Sequence, residues 1–516
     1  MSSSVDGRSS PVIFHGMTEG TPTNHVTTSR MAIIAAGPVV YALLFILAPA
    51  ALTRPAAHVL GVTAWMAIWW LSEAIPLGAT ALIPLALFPA LGVTSARDAA
   101  TPYANELVFL FLGGFFLAAA LEHWHAHARI AYGLVARFGT SGRSVVLGVM
   151  VATAAISMWI SNTATAAMMY PIALAIGALF DSGGATATSS ERDVRNMRTA
   201  LMLGVAYAAS IGGMSTLIGT PPNLIFAGAA QELAGQRVSF VEFMAIGAPV
   251  AAVLLPMTWA LLVFVLYPGR VSLGTDAHRA LAERRAALGR LGGGEALTVG
   301  VFTLTALAWL FRERKDFGGF VIPGLVDLFP GVTDASVGIT GALLLFVLVG
   351  RTTEGERRPL LTWREARTIP WEVLLLFGGG LSLAAAMEST GLAGWLGNLM
   401  TGLSGYPTLL LYAGLATIVL LLSELASNTA VATMAMPIAA SLAQAIDTAP
   451  LPLMLVAALA ASTGFALPVA TPPNTIVMGS GFVTVREMAR AGIVLDAIAI
   501  VLVITAVAVL YPVVLG

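Results

Sequence analysis

The tetrapeptide Ser161-Asn162-Thr163-Ala164 recurs as Ser427-Asn428-Thr429-Ala430, and each copy stands inside a long apolar stretch, 143–180 and 407–446. A second motif follows each copy, Thr220-Pro221-Pro222-Asn223 and Thr471-Pro472-Pro473-Asn474. Hydroxyls, amides and helix-breaking prolines are costly in hydrocarbon unless the backbone groups they free lie against protein, ion or solute. Paired sets of them predict a site near the middle of a membrane, assembled from two related halves of the chain.

The rest of the chain supplies that membrane. Hydrophobic residues make up 57% of the 516 and charged residues 10%, against about 25% charged in soluble domains. Apolar stretches of about twenty residues recur from Met31 onward, each long enough to span a bilayer. An all-α polytopic membrane protein is therefore expected. The net charge of −1 gives no reason to invoke nucleic acid, and with no cysteine there are no disulfides, thiolate metal sites or cysteine nucleophiles. Residues 1–30, rich in Ser, Thr and Gly, read as a disordered tail rather than a cleaved signal, because the first apolar run starts late and is long.

Crossings are expected near 31–52, 57–73, 76–92, 105–122, 200–230, 245–267, 296–311, 337–350, 371–388, 452–482 and 490–513. The segments 143–180 and 407–446 read as re-entrant hairpins with the Ser-Asn-Thr motifs at their tips. Residues 151–160 and 164–180 hold no charged side chain, and Pro171 interrupts the return arm. With hairpins that enter and leave on one face, 20 of the 26 Lys and Arg fall on one side and 6 on the other. The positive-inside rule then gives eleven crossings, the N-terminus in the cytoplasm and the C-terminus outside, in the plasma (inner) membrane of the cell.

An internal repeat joins the motifs. Residues 105–122 align with 371–388 at an offset of 266 with ten identities, and 161–176 align with 427–442 at the same offset with nine. The two Thr-Pro-Pro-Asn copies are 251 apart, and the polar stretch 181–199 is expected to take up the fifteen extra residues as a loop. Five crossings separate Glu106 from Glu372, an odd number, so the second repeat starts from the opposite face and the topology is inverted. The expected parts are a tail (1–30), scaffold helices (31–104), repeat 1 (105–268), a cytoplasmic loop with linking helices (269–370) and repeat 2 (371–516). Repeat 1 holds a broken helix at 200–230, and repeat 2 another at 452–482.

Thr220 and Thr471 suit helix N-caps, with prolines at the first helical position where no N–H is needed. Two hairpin tips and two breaks bring four half-helix N-termini to one place, about half a positive charge each, roughly +2 together. That sign suits an anion, a dianion above all. Arg and Lys are absent between 144 and 191 and between 368 and 485, so no fixed cation pairs with a carboxylate. A co-bound small hard cation such as Na+ would help, held by neutral oxygens. Candidate sodium ligands are Ser157, Asn162 and the Gly219 carbonyl in one half, and Ser423, Asn428 and the Ala426 and Ala470 carbonyls in the other. His123, His125 and His127 have poor spacing for one helical face and read as interfacial; Glu106, Glu122, Glu372 and Glu388 read as helix end-anchors. The stretches 122–139 and 389–402 read as interfacial helices, 279–290 as a solvated basic loop helix, and Glu424 as a residue facing a polar neighbour or carrying a proton.

Both Ser-Asn-Thr copies, both Thr-Pro-Pro-Asn copies and the run Ser462-Thr463-Gly464-Phe465-Ala466-Leu467-Pro468-Val469-Ala470, continued through Val477, resemble the divalent anion:sodium symporter family from about residue 31 onward. The resemblance implies an inverted-repeat homodimer in which a transport domain moves as an elevator against a scaffold. It implies carboxylate contacts from Asn162, Thr163, Thr220, Asn428, Thr429, Thr471 and Pro472, and the sodium ligands are those the spacing proposes. Ser161 and Ser427, at the same tips, complete the candidate substrate set. Ser423 departs from many relatives, which carry Thr there, but keeps the hydroxyl. The expected function is sodium-coupled secondary transport of dicarboxylates of the succinate, malate and fumarate type. A sodium-independent exchanger, a sulfate- or citrate-selective relative and an ion channel are the alternatives, and an enzyme is disfavoured because no charged catalytic pair lies near the motifs.

Overall fold

The computed structural model describes residues 28–135, 137–138, 141–180, 190–271, 283, 286, 289, 291–316, 321–352 and 355–516. The expected tail, up to residue 27, and most of the basic run 279–290 lie outside them. Among the described residues the chain is helical, apart from two small antiparallel ribbons, Lys315–Asp316 with Val321–Ile322 and Val349–Arg351 with Arg357–Pro359. Seven helices are long and apolar enough to cross a membrane, and five shorter apolar ones accompany them. Side chains such as Leu304, Leu421, Val501 and Val513 stand out from the surface. In a bilayer those positions meet lipid, so their exposure carries no penalty.

The helices that frame the motifs are named here in order. α1 (Gly142–Ser157) and α2 (Asn162–Leu179) form a helical hairpin whose turn carries Ser161. α3 (Glu191–Gly213) and α4 (Pro221–Ala234) are separated by an unwound loop. The second half repeats the pattern with α5 (Thr408–Leu425), α6 (Asn428–Ala445), α7 (Pro450–Ala461) and α8 (Pro472–Met478). The long helix α9 (Val485–Val514) follows.

Two expectations change at the element boundaries. The polar stretch 181–199 is not all loop, because α3 already begins at Glu191. Ser190 accepts from the Asp193 N–H, and the Asp193 carboxylate accepts from the Ser190 N–H, a capping box that starts the helix inside the polar run. The stretch 76–92 is not one crossing helix but two short ones, Leu77–Thr80 and Ile83–Ala90. Pro76 precedes the first and Pro84 opens the second, and each lacks the donor that a continuous helix requires. The interfacial stretches hold short helices, Ala126–Val135 and Leu392–Met400.

The inner helices are apolar on every side. From Leu451 to Ala461, all of α7 is buried, as is α3 from Thr199 to Gly213. A helix without a polar face has to be surrounded by others. One core gathers around α4, α6, α7 and the helices Glu106–His123 and Trp371–Ser389. The other gathers α1, α2, α3 and the first turns of α9. The two halves interlock rather than sit side by side: α4 packs on α6 and α7, while α8 packs on α2 and α3.

Candidate functional site

Both hairpin tips and both unwound loops open onto one cavity of about 1040 Å³. Its lining includes Ser161, Asn162 and Thr163 from the first tip and Ser427, Asn428 and Thr429 from the second. Gly219 and Thr220 come from the first loop, and Ala426, Ala470, Thr471 and Pro472 from the second half. Of the candidate residues, Ser157 and Ser423 alone stand outside the lining; both are fully buried just behind it. Among the described residues no Arg, Lys or His lines the cavity, and the acidic side chains Glu73 and Glu122 do. Glu122 is thus more than a helix end-anchor. Glu372 accepts from the Gly78 N–H at 3.0 Å, in keeping with an anchoring role.

Each half builds the same small oxygen cluster behind its tip. Ser157 Oγ lies 2.8 Å from Asn162 Oδ1 and 2.7 Å from the Ala209 carbonyl. Ser423 Oγ lies 2.6 Å from Asn428 Oδ1 and 2.6 Å from the Ala461 carbonyl. One hydroxyl proton serves one acceptor at a time, so three oxygens, the hydroxyl's own included, share a single proton. Neutral oxygens crowded in this way are the donor set that broken-helix sites present to a small hard cation. In the first half the cluster is tight because Gly213 faces Asn162: a Cβ there would lie 2.2 Å from Asn162 Oδ1.

The loops are pinned by the last residue of each Thr-Pro-Pro-Asn motif, a role that spacing alone does not reveal. Asn223 Nδ2 donates to the Gly213 and Thr216 carbonyls at 2.9 and 2.7 Å. Asn474 Nδ2 donates to the Gly464 and Leu467 carbonyls at 3.4 and 2.9 Å. Both amides are fully buried, and the Oδ1 atoms of both lack a hydrogen-bond partner within the protein. The signal was present in the sequence as the fourth letter of a repeated motif.

The threonines of those motifs behave differently from expectation. Thr220 and Thr471 occupy the N-cap positions of α4 and α8 in extended backbone, yet neither side chain caps. Two prolines follow each threonine, so the first two helical positions have no N–H to offer. The third, on Asn223 or Asn474, already donates to the threonine's own carbonyl, at 3.2 and 3.0 Å. Their hydroxyls are therefore spared from capping, and Thr471 Oγ1 is buried without a partner. At the tips, Ser161 Oγ does cap α2, accepting from the Ala164 N–H at 3.3 Å, whereas Ser427 makes no such bond.

Four helix N-termini (α2, α4, α6 and α8) thus end at a cavity with no basic side chain among the described residues. The aligned peptide dipoles of these helices give the wall a positive potential, while the acidic rim and the crowded oxygens give cations a place beside it. The rings of His125 and His127 pack edge to face with centroids 5.9 Å apart, while His123 meets Glu365 at 3.2 Å and His127 meets the Leu121 carbonyl at 3.1 Å. Among the described residues no cluster of His, Cys, Asp and Glu could hold a metal ion.

A profile described as "Sodium:sulfate symporter transmembrane region" matches residues 25–516. The chain belongs to that family. Among curated members it is similar to the "Sodium-dependent dicarboxylate transporter SdcS" of Staphylococcus aureus (strain MRSA252), 36% identical over 492 residues, covering 95% of this chain and 93% of that one. The protein of the same description from Staphylococcus saprophyticus is 37% identical over 485 residues, covering 93% and 91%. The fold is also similar to two solved transporters. Neisseria gonorrhoeae MtrF, described within a class of antimetabolite efflux pumps, has TM-score 0.55 at 14% identity, over 92% of this chain and 97% of that one. Alcanivorax borkumensis YdaH has TM-score 0.55 at 13% identity, over 87% and 98%. This sodium:sulfate symporter family member is accordingly a helical, multi-pass membrane protein.

Proposed function

We propose that this protein is a secondary transporter that moves C4-type dicarboxylates across the cytoplasmic membrane together with sodium. The observation that carries the reading is the one cavity where four helix N-termini from both halves meet and, among the described residues, no basic side chain is present. A dianion held there is balanced by the helix dipoles and by co-transported cations, which makes its binding depend on theirs. The curated relatives described as sodium-dependent dicarboxylate transporters support the same substrate and ion.

In this reading Ser161, Asn162, Thr163, Thr220, Ser427, Asn428, Thr429, Thr471 and Pro472 hold the substrate carboxylates. One sodium sits with Ser157, Asn162 and the Gly219 carbonyl, the other with Ser423, Asn428 and the Ala426 and Ala470 carbonyls. Asn162 and Asn428 serve ion and substrate together, which is the physical link that couples the two. The topology is eleven crossings with two re-entrant hairpins in inverted repeats, N-terminus inside and C-terminus outside. The cavity rim at Leu71–Glu73, Glu122 and Thr368–Pro370 then faces the cytoplasm, so the molecule stands open inward. The hairpins and broken helices move as one body against the remaining scaffold helices, within a homodimer.

Succinate uptake into proteoliposomes, with sodium or choline outside, tests this. Uptake driven by an inward sodium gradient is expected. Uptake indifferent to that gradient overturns the coupling, and absence of any dicarboxylate flux overturns the substrate class.

A further inference from the structure

Glu424 and Asp496 are each 5% exposed, carry carboxyl groups deep in the protein and are assigned nothing by the transport reading. Among the described residues neither forms a salt bridge. Their acceptors go instead to three consecutive backbone N–H groups of the loop between α7 and α8. Asp496 Oδ1 accepts from Phe465 at 3.2 Å, Glu424 Oε1 from Ala466 at 2.8 Å and Glu424 Oε2 from Leu467 at 2.8 Å. The two carboxyl groups lie close enough to interact directly.

The first half shows what these acids replace. There α3 runs on to Gly213, so the N–H groups of Met214 and Ser215 donate to the helix carbonyls of Ser210 and Gly212 at 3.3 and 3.0 Å. The residue at the repeat position of Glu424 is Met158, whose thioether is at best a weak acceptor. In the second half α7 stops at Ala461, and the orphaned N–H groups must be met from outside the helix. Helix α9 comes close enough to do so only because of Gly492, one turn before Asp496: a Cβ there would lie 2.2 Å from Ala466 Cα.

We propose that Glu424 and Asp496 are positioning residues that splint the Phe465–Leu467 backbone between α5 and α9, and so set the Ala470 carbonyl and Thr471 against the cavity. The inference deepens the transport reading and rests on it for its kinetic readout. Asn at 496 keeps an acceptor for the Phe465 N–H and an amide donor for Glu424, so it preserves the splint. Leu at 496 has the size without the acceptor, and Met at 424 installs the residue of the first half.

The test uses full-length Asp496→Asn, Asp496→Leu and Glu424→Met in proteoliposomes, together with hydrogen exchange of the 463–471 peptide in the purified protein. Asp496→Leu and Glu424→Met are expected to raise the sodium concentration for half-maximal succinate uptake by about tenfold and to speed exchange of that peptide. Asp496→Asn is expected to stay within about twofold of the wild type in both. Wild-type sodium dependence and loop exchange in Asp496→Leu overturn the proposal, and so does an Asp496→Asn as impaired as Asp496→Leu. If Asp496→Leu does not purify folded, Glu424→Gln decides: it keeps one acceptor of two, and an unchanged loop exchange overturns the splint. A wild type that carries no succinate overturns the transport reading instead, and the exchange measurement still judges the splint.

Discussion

The loops Met214–Thr220 and Ser462–Thr471 do one task by two routes. Each interrupts a buried helix, is pinned by an asparagine from the following half-helix, and delivers a threonine followed by two prolines to the cavity. The first is short and closes on its own helix, with Thr216 Oγ1 donating to the Met158 carbonyl at the hairpin tip. The second is longer, carries Pro468, and leans on acids from two other helices. A duplicated motif therefore preserves the groups that face the cargo while the scaffolding behind them diverges. The backbone N–H groups of Met214 and Ser215 are met by the first loop's own helix, whereas those of the second loop depend on where α5 and α9 stand.

The sharpest challenge to that likeness is the shared ligand. Asn162→Ala and Asn428→Ala are each expected to bring sodium-driven succinate uptake to background while the protein remains folded by size exclusion and thermal melting. Loss in only one of them would show that a single half binds the ion. The next test separates the halves by steric room. Gly213→Ala places a methyl group on Asn162, whereas at the matching Gly464 the nearest atom is Ala470 Cβ at 3.2 Å. Gly213→Ala is expected to cut uptake by about tenfold or more and Gly464→Ala by about twofold at most, since overpacking costs follow the space available. Equal losses would mean the two loops are equally tight.

Finer effects follow. Ser157→Ala and Ser423→Ala each remove one oxygen from a cluster but leave the asparagine and carbonyl in place. Both are expected to raise the half-saturating sodium concentration by about three- to tenfold with little change in the maximal rate. Different shifts in the two variants would rank the two ion sites. The smallest effect is expected from Thr216→Val, which removes a bond to the tip without touching the cavity. It should lower the melting temperature by about 1–2 °C, as one net hydrogen bond does in a large protein, and Leu467, its counterpart, offers no such bond to lose.

Much of this was legible from residues alone. The repeated Ser-Asn-Thr and Thr-Pro-Pro-Asn motifs named the cavity wall, because polar groups and prolines in apolar runs have few other uses. What escaped was whatever depends on pairing across the chain. Glu424 stood out as an acid in an apolar arm, but nothing local ties it to Asp496 or to the backbone of Ala466 and Leu467. The threonines looked like caps until the two prolines were seen to leave them nothing to cap. Ser190 with Asp193 is a readable helix start set in a stretch whose composition is that of a loop. Glu122 marks a helix end in sequence; only the packing shows that this end borders the cavity.

The exchange of short helices between halves, α4 lying on α6 and α8 on α2, has a consequence for the transport cycle. Neither half can travel without dragging a wall of the other's compartment along. In the proposed transport cycle, release then comes from carrying the whole chamber past a stationary barrier, with guest and ions disembarking at the same stop.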